Sequence, residues 1–199
     1  MTNKKSRGRR SDAQAARTRE RILRAAERLF ARRGYRGVSM RDLARACGVR
    51  MFTIQHHYGT KLRLYQEILR NWEREIHALL EKALQETAPS EELVGELLSR
   101  LFAFYLANRE RVVLSARAGL GEGLPRRAGG GEQSWVSFMG TVMGERAIAG
   151  ADIDPGLLLI TVEGILNNHT LAVRHYQHLF GRDVTDAALR RRVEAHLKR

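Results

Sequence analysis

Apolar residues recur at three- and four-residue spacing nearly throughout the chain, and only three prolines, at positions 89, 125 and 155, interrupt it. The pattern predicts an all-α protein. Ser11 with Gln14 has the form of a capping box, after which Ile22, Ala25, Ala26, Leu29 and Phe30 make one apolar stripe that stops before Gly34. Ser39 with Asp42 is a second box, opening a short helix to about Ala46, and beyond the turn at Gly48 another short helix is expected over Arg50 to His57. A long helix follows from Lys61 to about Glu86, with Leu64, Ile68, Trp72, Ile76, Leu79 and Leu80 on its apolar side. Further helices are expected from Pro89–Ser90 to about Asn108 and from Arg109 to Ala118, and the glycine-rich segment 119–131 reads as a loop.

The last two long helices differ from the rest. Gln133 to Gly144 has no charged residue, and Gly156 to Val173 has only Glu163. A helix apolar nearly all round must be covered on all sides, and in a chain this short a second copy is the simplest cover. A homodimer packed through these two helices is therefore expected.

Charge sharpens the picture because it is unevenly spread. The 199 residues carry a formal charge of +13, but residues 1–70 hold 19 Lys/Arg against 5 Asp/Glu, a net +14, while the remainder is nearly neutral. That places a polyanion site, nucleic acid or anionic membrane, in the N-terminal third. Residues 1–10 carry five positive and no negative charges and are expected to form a basic disordered arm. The single cysteine, Cys47, rules out an intramolecular disulfide framework and fits a reducing compartment. With no apolar stretch after the basic start and no run long enough to span a bilayer, a cytoplasmic protein without membrane attachment is expected.

Within the basic segment, Ala44, Gly48 and Ile54 stand at relative positions 0, +4 and +10, with Leu43, Cys47 and Val49 as apolar companions. In a helix-turn-helix the first must be small so that two helices cross closely, the second must accept a left-handed turn, and the third plugs the gap. The stretch GVRMFTIQHHYGTK then has a reason for its low charge: a recognition helix needs groups that meet base edges in the major groove, with cations flanking it. Arg50, Met51, Thr53, Gln55, His56 and His57 are the candidate readers, and Ile54 and Tyr58 should face inward. For each of these the bland alternative is a solvated helix face. Ser39 is first a helix cap, with a phosphate contact as an addition. Lys61 and Arg63 open the long helix at the end where the backbone dipole disfavours cations, a conflict that a DNA phosphate would remove.

From Arg21 to Tyr65 the chain, RILRAAERLFARRGYRGVSMRDLARACGVRMFTIQHHYGTKLRLY, resembles the DNA-binding domain of the TetR family of bacterial transcriptional regulators. The likeness rests on the amphipathic first helix, the Gly-Tyr corner, the Ser-x-x-Asp cap and the Tyr-x-x-Lys that leads into the long helix. It implies a homodimer with an N-terminal three-helix helix-turn-helix domain, here residues 11–60. It also implies a divergent helical domain for effector binding and dimerisation, here 61–199. By the same resemblance Ser39, Thr53, Gln55, His57 and Lys61 occupy positions that commonly contact DNA. The chain departs from the family pattern with Arg50 where a Ser cap is usual, Phe52 where a Gly is usual, Gln55 where a Tyr is common, and Leu62–Arg63 in place of an acidic pair.

The remaining chemistry is sparse. Trp72, Phe102, Tyr105, Trp135, Phe138 and Met139 are spread over helices that should surround one cavity, and Asn168 and His169 interrupt an apolar helix. Core packing is the default for the aromatics; the alternative is a pocket for an apolar or aromatic small-molecule effector. Asn167, Asn168 and His169 would need buried partners, across a dimer or on a ligand. Cys47 reads as a buried packing residue rather than a redox sensor, and His175 with His178 as an exposed pair rather than a metal site. No nucleophile–base arrangement, metal-ligand cluster or phosphate-cradling loop is present in the sequence, so neither an enzyme nor a cofactor is expected. The function these readings favour is a sequence-specific transcriptional regulator, a repressor released from a pseudo-palindromic operator by an effector. The rival is a nonspecific architectural DNA binder.

Overall fold

The computed structural model describes residues 3–86, 92–121 and 155–180. Among them lie seven helices and no strand: α1 (Asn3–Arg33), α2 (Met40–Cys47), α3 (Met51–Tyr58), α4 (Lys61–Glu86), α5 (Glu92–Ala107), α6 (Arg109–Gly119) and α7 (Pro155–Phe180). No described helix is long and apolar enough to cross a membrane. The helix expected over 133–144 and most of the expected loop at 119–131 lie outside the described residues.

α1 begins eight residues before the expected Ser11 start, so residues 3–10 are helical where an arm without structure was expected. The physical reason is propensity. Lys, Arg, Ala and Gln all favour helix, and Gly8 alone does not stop one that has a long amphipathic continuation to lean on.

Two apolar clusters organise the helices. In the first, Ile22, Ala25, Ala26 and Phe30 of α1 meet Val38, Leu43, Cys47, Ile54 and Tyr58, closed by Leu64, Tyr65 and Ile68 of α4 and by Leu114 of α6. This core therefore extends beyond the boundary expected at residue 60. The ring of Tyr65 meets Phe30 edge-on, with centroids 5.1 Å apart, and Tyr35 at 5.1 Å. In the second cluster Trp72, Ile76 and Leu80 of α4 pack with Leu101, Phe102 and Tyr105 of α5, Val112 of α6 and Leu166 of α7. α4 thus contributes its first half to one core and its second half to the other. Its buried positions, including 64, 68, 72, 76 and 80, follow one i, i+4 stripe.

The corner between α1 and α2 is tight. A Cβ at Gly37 would overlap the carbonyl oxygen of Arg33, so only glycine fits there.

Candidate nucleic-acid interface

Ser39 caps α2 in an extended conformation and completes the expected box. Its Oγ accepts the Asp42 N–H at 3.1 Å, and the Asp42 carboxylate accepts the Ser39 N–H at 2.9 Å. The Ser39 hydroxyl also donates to that carboxylate at 2.5 Å, and these bonds hold the Asp42 carboxyl below the usual range. α2 ends at Gly48, whose φ of 62° is the left-handed value that a helix stop demands of glycine. Val49 then donates back to the Ala44 carbonyl at 3.1 Å, which turns the chain into α3. The thiol of Cys47 is buried and points at the Ile22 carbonyl, and burial raises its pKa, as befits a packing residue.

Ile54 is fully buried and plugs the space between the helices, as its spacing predicted. Tyr58 anchors the other end of α3 to α1: its hydroxyl donates to the Arg19 carbonyl at 2.8 Å, and the Arg19 guanidinium lies 5.0 Å over its ring. Burial pushes the Tyr58 phenol up to about 12, so it stays a neutral donor.

With those two residues turned in, Met51, Phe52, Gln55 and His56 are exposed on α3, and Thr53 and His57 are partly covered. Burial, then the neighbouring His56 and Arg19, lower the His57 pKa, so this imidazole is held neutral more firmly than a solvated one. Arg50 takes the N-cap position of α3 without a side-chain cap bond, which leaves its guanidinium exposed. Beside the C-terminal end of α3 lies an open cleft of about 520 Å³ whose lining includes Arg19, Arg63, Arg70, Gln66, Gln55 and His57. Glu67 in its wall is paired with Arg70 at 2.9 Å, so the cleft keeps a cationic surplus.

Lys61 departs from its expected role. Its ammonium donates to the carbonyls of Tyr35 at 3.0 Å and Val38 at 2.8 Å and sits 4.2 Å over the Tyr35 ring. Two of its three donors are spent on the corner before α2, so it is first a clamp holding the helix-turn-helix to α4. The dipole conflict inferred for Lys61 is answered by these carbonyls, whereas Arg63 remains exposed at the same helix end.

The expected effector pocket is only partly within the described residues. Trp72, Phe102 and Tyr105 do come together, each no more than 4% exposed, in the second core cluster. Trp72 lies against Tyr105 at 5.3 Å and stacks on Phe104 at 5.0 Å. Burial, with Glu163 adding to it, drives the Tyr105 phenol well above its ordinary range. Trp135, Phe138 and Met139 and the side chain of His169 lie outside the described residues. Asn168 is exposed in the single chain, which leaves its expected partner, across a dimer or on a ligand, outside the described contacts. Thr170 of α7 is buried, and its Oγ1 has no hydrogen-bond partner among the described residues. His175 and His178 are both exposed, as read from their spacing.

Three features escaped the sequence reading. Phe52 is 74% exposed on α3. Arg19 lines the cleft from α1, thirty-odd residues from the motif. Arg111 of α6 reaches across the molecule. It makes a two-pronged bond to Glu75 of α4 at 2.6 and 2.9 Å and covers the Trp72 ring at 5.1 Å. Its Nε lies 3.6 Å from a Glu27 carboxylate oxygen of α1, an ion pair too long for a hydrogen bond. The phase of α3 around Ile54 could have found Phe52; nothing local in the sequence announces Arg111.

Residues 22–68 match the family model of bacterial regulatory proteins, tetR family. Over 114 residues the chain is 26% identical to the HTH-type transcriptional repressor NicS of Pseudomonas putida, an alignment covering 57% of this chain and 54% of that protein. It is likewise 26% identical over 107 residues to the HTH-type transcriptional repressor KstR2 of Mycolicibacterium smegmatis, covering 53% and 52%. The chain thus spans about half the length of the curated relatives it matches. A solved structure of AibR in complex with isovaleryl coenzyme A and operator DNA superposes with a TM-score of 0.63 at 18% identity, over 77% of this chain and 86% of that one, a likeness of fold. The capped α2, the left-handed Gly48, the plug Ile54 and the matched segment agree: residues 22–68 form a helix-turn-helix segment of the kind found in bacterial regulatory proteins of the tetR family.

Proposed function

We propose that the protein is a homodimeric, sequence-specific DNA-binding transcriptional regulator, acting as a repressor that a small apolar or aromatic effector releases from a pseudo-palindromic operator. The observation that carries this reading is α3 itself. Its inward residues dock it rigidly, its outer face presents groups of mixed chemistry, and the cations Arg50, Arg63 and Arg19 stand around that face. Such an arrangement positions on phosphates and chooses on base edges. The relatives named above are repressors, and the AibR structure pairs operator DNA with an acyl-coenzyme A, which supports both halves of the proposal by analogy.

Dimerisation is supported by α7. Ile160, Ile165 and Leu171, at 70%, 64% and 45% exposure, share a face with Gly164 and Asn168, and this apolar stripe suits a twofold partner. Two copies of α3 would then read two half-sites on one side of the duplex.

For release, α4 is the candidate lever, since it spans from the Lys61 clamp to the Trp72 cluster. A ligand entering around Trp72, Phe102 and Tyr105 must displace rings that also support Arg111, whose carboxylate partners sit on α1 and α4. The ligand acts as a switch only if it binds the DNA-released arrangement more tightly than the DNA-bound one.

The test is a pair of titrations at fixed salt, one with the DNA upstream of the protein's own coding sequence and one with random duplex of equal length. The proposal requires a preference of at least about a thousandfold for the former. Equal affinities that fall together with rising salt would mean an architectural binder that uses charge alone.

A further inference from the structure

We infer that Phe52, stacked on His56, is a specificity-determining residue of this protein and that it reads the 5-methyl groups of thymine in each half-site. The inference rests on the proposed function and names the feature of the DNA that α3 selects.

The argument starts from helical phase. At about 100° per residue, Phe52 and His56 stand about 160° and 200° around α3 from Ile54, so they point almost directly away from the protein body. Ile54 is fully buried and Tyr58 nearly so, which fixes that orientation. When the outer face of α3 enters a groove, these two rings are the side chains that lead.

Phe52 is 74% exposed, against 41% for Met51, and it lies in the first turn of α3. The N-terminal residues of a recognition helix are those that meet base edges. Its ring and that of His56 are nearly parallel, 21° apart with centroids separated by 6.3 Å, so the pair forms a flat apolar tip with one polar edge. Met51, also exposed, extends the apolar tip on one flank, and Gln55 supplies a donor and an acceptor beside it.

Leaving a Phe in water has no stabilising return within the protein, and the surface around it is cationic, with Arg50 at the start of the same helix. A hydrophobic lipid surface or an apolar protein groove would accept the ring but would have no use for Gln55 and His56 at hydrogen-bonding positions. A DNA major groove accepts all three. It offers one apolar group, the thymine methyl, which projects beside the O4 acceptor of the same base. A Phe tip meeting that methyl, with Gln55 or His56 meeting a neighbouring edge, would favour A·T pairs at that step over G·C pairs, which lack the methyl.

The experiment separates the methyl from everything else. Wild-type protein selects sites from a pool of random duplexes, and each thymine of the selected half-site is then replaced singly by deoxyuridine, which removes only the methyl. The expected result is a loss of about fourfold in wild-type affinity at one or two thymines, the value of one buried methyl-sized group. Phe52→Ala should bind the thymine and deoxyuridine duplexes alike, with a nearly unchanged unfolding midpoint because the side chain is 74% exposed. Arg63→Ala serves as contrast: it should weaken both duplexes together and keep the wild-type ratio. If deoxyuridine is without effect at every position, or Phe52→Ala keeps the discrimination, the inference is wrong while sequence-specific binding stands. If the wild type enriches no sequence at all, the proposed function itself is overturned.

Discussion

The two ends of α4 sit in differently built surroundings. Around its first half, single side chains have assigned places: Ile54 as a plug, Tyr58 tied to the Arg19 carbonyl, Lys61 clamped to the Tyr35 and Val38 carbonyls. Around its second half, Trp72, Phe102 and Tyr105 share a cluster of generic apolar contacts, with the polar strut Arg111 at its edge. On the proposed function the first region faces a partner of fixed geometry, because duplex DNA has one groove width and one repeat. It must hold a short helix rigid, so its spacing is demanding. The second faces no such template, and many apolar combinations fill it equally well. Rigidity around α3 and interchangeability at the core of the second region are what the proposed function, a DNA reader coupled to an effector, would require.

Substitutions can break or sharpen this contrast. The largest effect belongs to Ile54→Ala, which empties a fully buried site and should cost about 2–5 kcal/mol in thermal or urea unfolding, abolishing DNA binding as α3 loses its seat. Arg111→Ala comes next. Removing the guanidinium strands Glu27 on α1, already raised in pKa by burial, and opens a gap over Trp72. Because Glu75 is half exposed, about 2–3 kcal/mol is expected rather than the full cost of a buried pair. The same variant should loosen any dependence of DNA affinity on effector while leaving the effector-free affinity nearly unchanged, a split that titrations with and without effector would read. Ser39→Ala removes the cap of α2 and should cost about 1 kcal/mol, lowering affinity for all duplexes alike.

The smallest effect is a pH dependence. His57 and His77 both have pKa values lowered below 6.5, chiefly by burial, so the unfolded chain binds protons that the folded one resists. Stability from these groups is fully present above that value and is lost as the pH falls below it. Urea midpoints at pH 7.5 and 5.5 should therefore differ, and His57→Gln with His77→Gln should flatten the difference; an increase in stability on acidification would contradict the burial of both rings.

Legibility in the sequence followed the same division. α4 was read to both its end residues, and α2 and α3 to within about one residue, because caps and a left-handed glycine are local signals. The start of α1 was missed because a charge run was weighed above helix propensity. Lys61 looked like a phosphate ligand because its two carbonyl partners lie 26 and 23 residues earlier in the chain and no periodicity points to them. Phe52 was noted only as standing where a Gly is usual, and its outward direction follows once α3 is phased on the buried Ile54. Asn168 was read as needing a partner across a dimer or on a ligand, and its exposure in the single chain fits a face that a second copy would cover. The aromatic trio Trp72, Phe102 and Tyr105 packs in one cluster, but aromatic composition says nothing of what, if anything, fits between the rings.

The most direct measurement is methylation interference on a duplex that the protein binds. Methylating guanine N7 alters the major groove alone, whereas methylating adenine N3 alters the minor groove. If α3 reads two half-sites in the major groove, N7 methylation should block binding in two patches on one side of the duplex, separated by about 34 Å or a multiple of it. Interference confined to adenine N3, or spread evenly along the duplex, would contradict the placement of α3 on which the account depends.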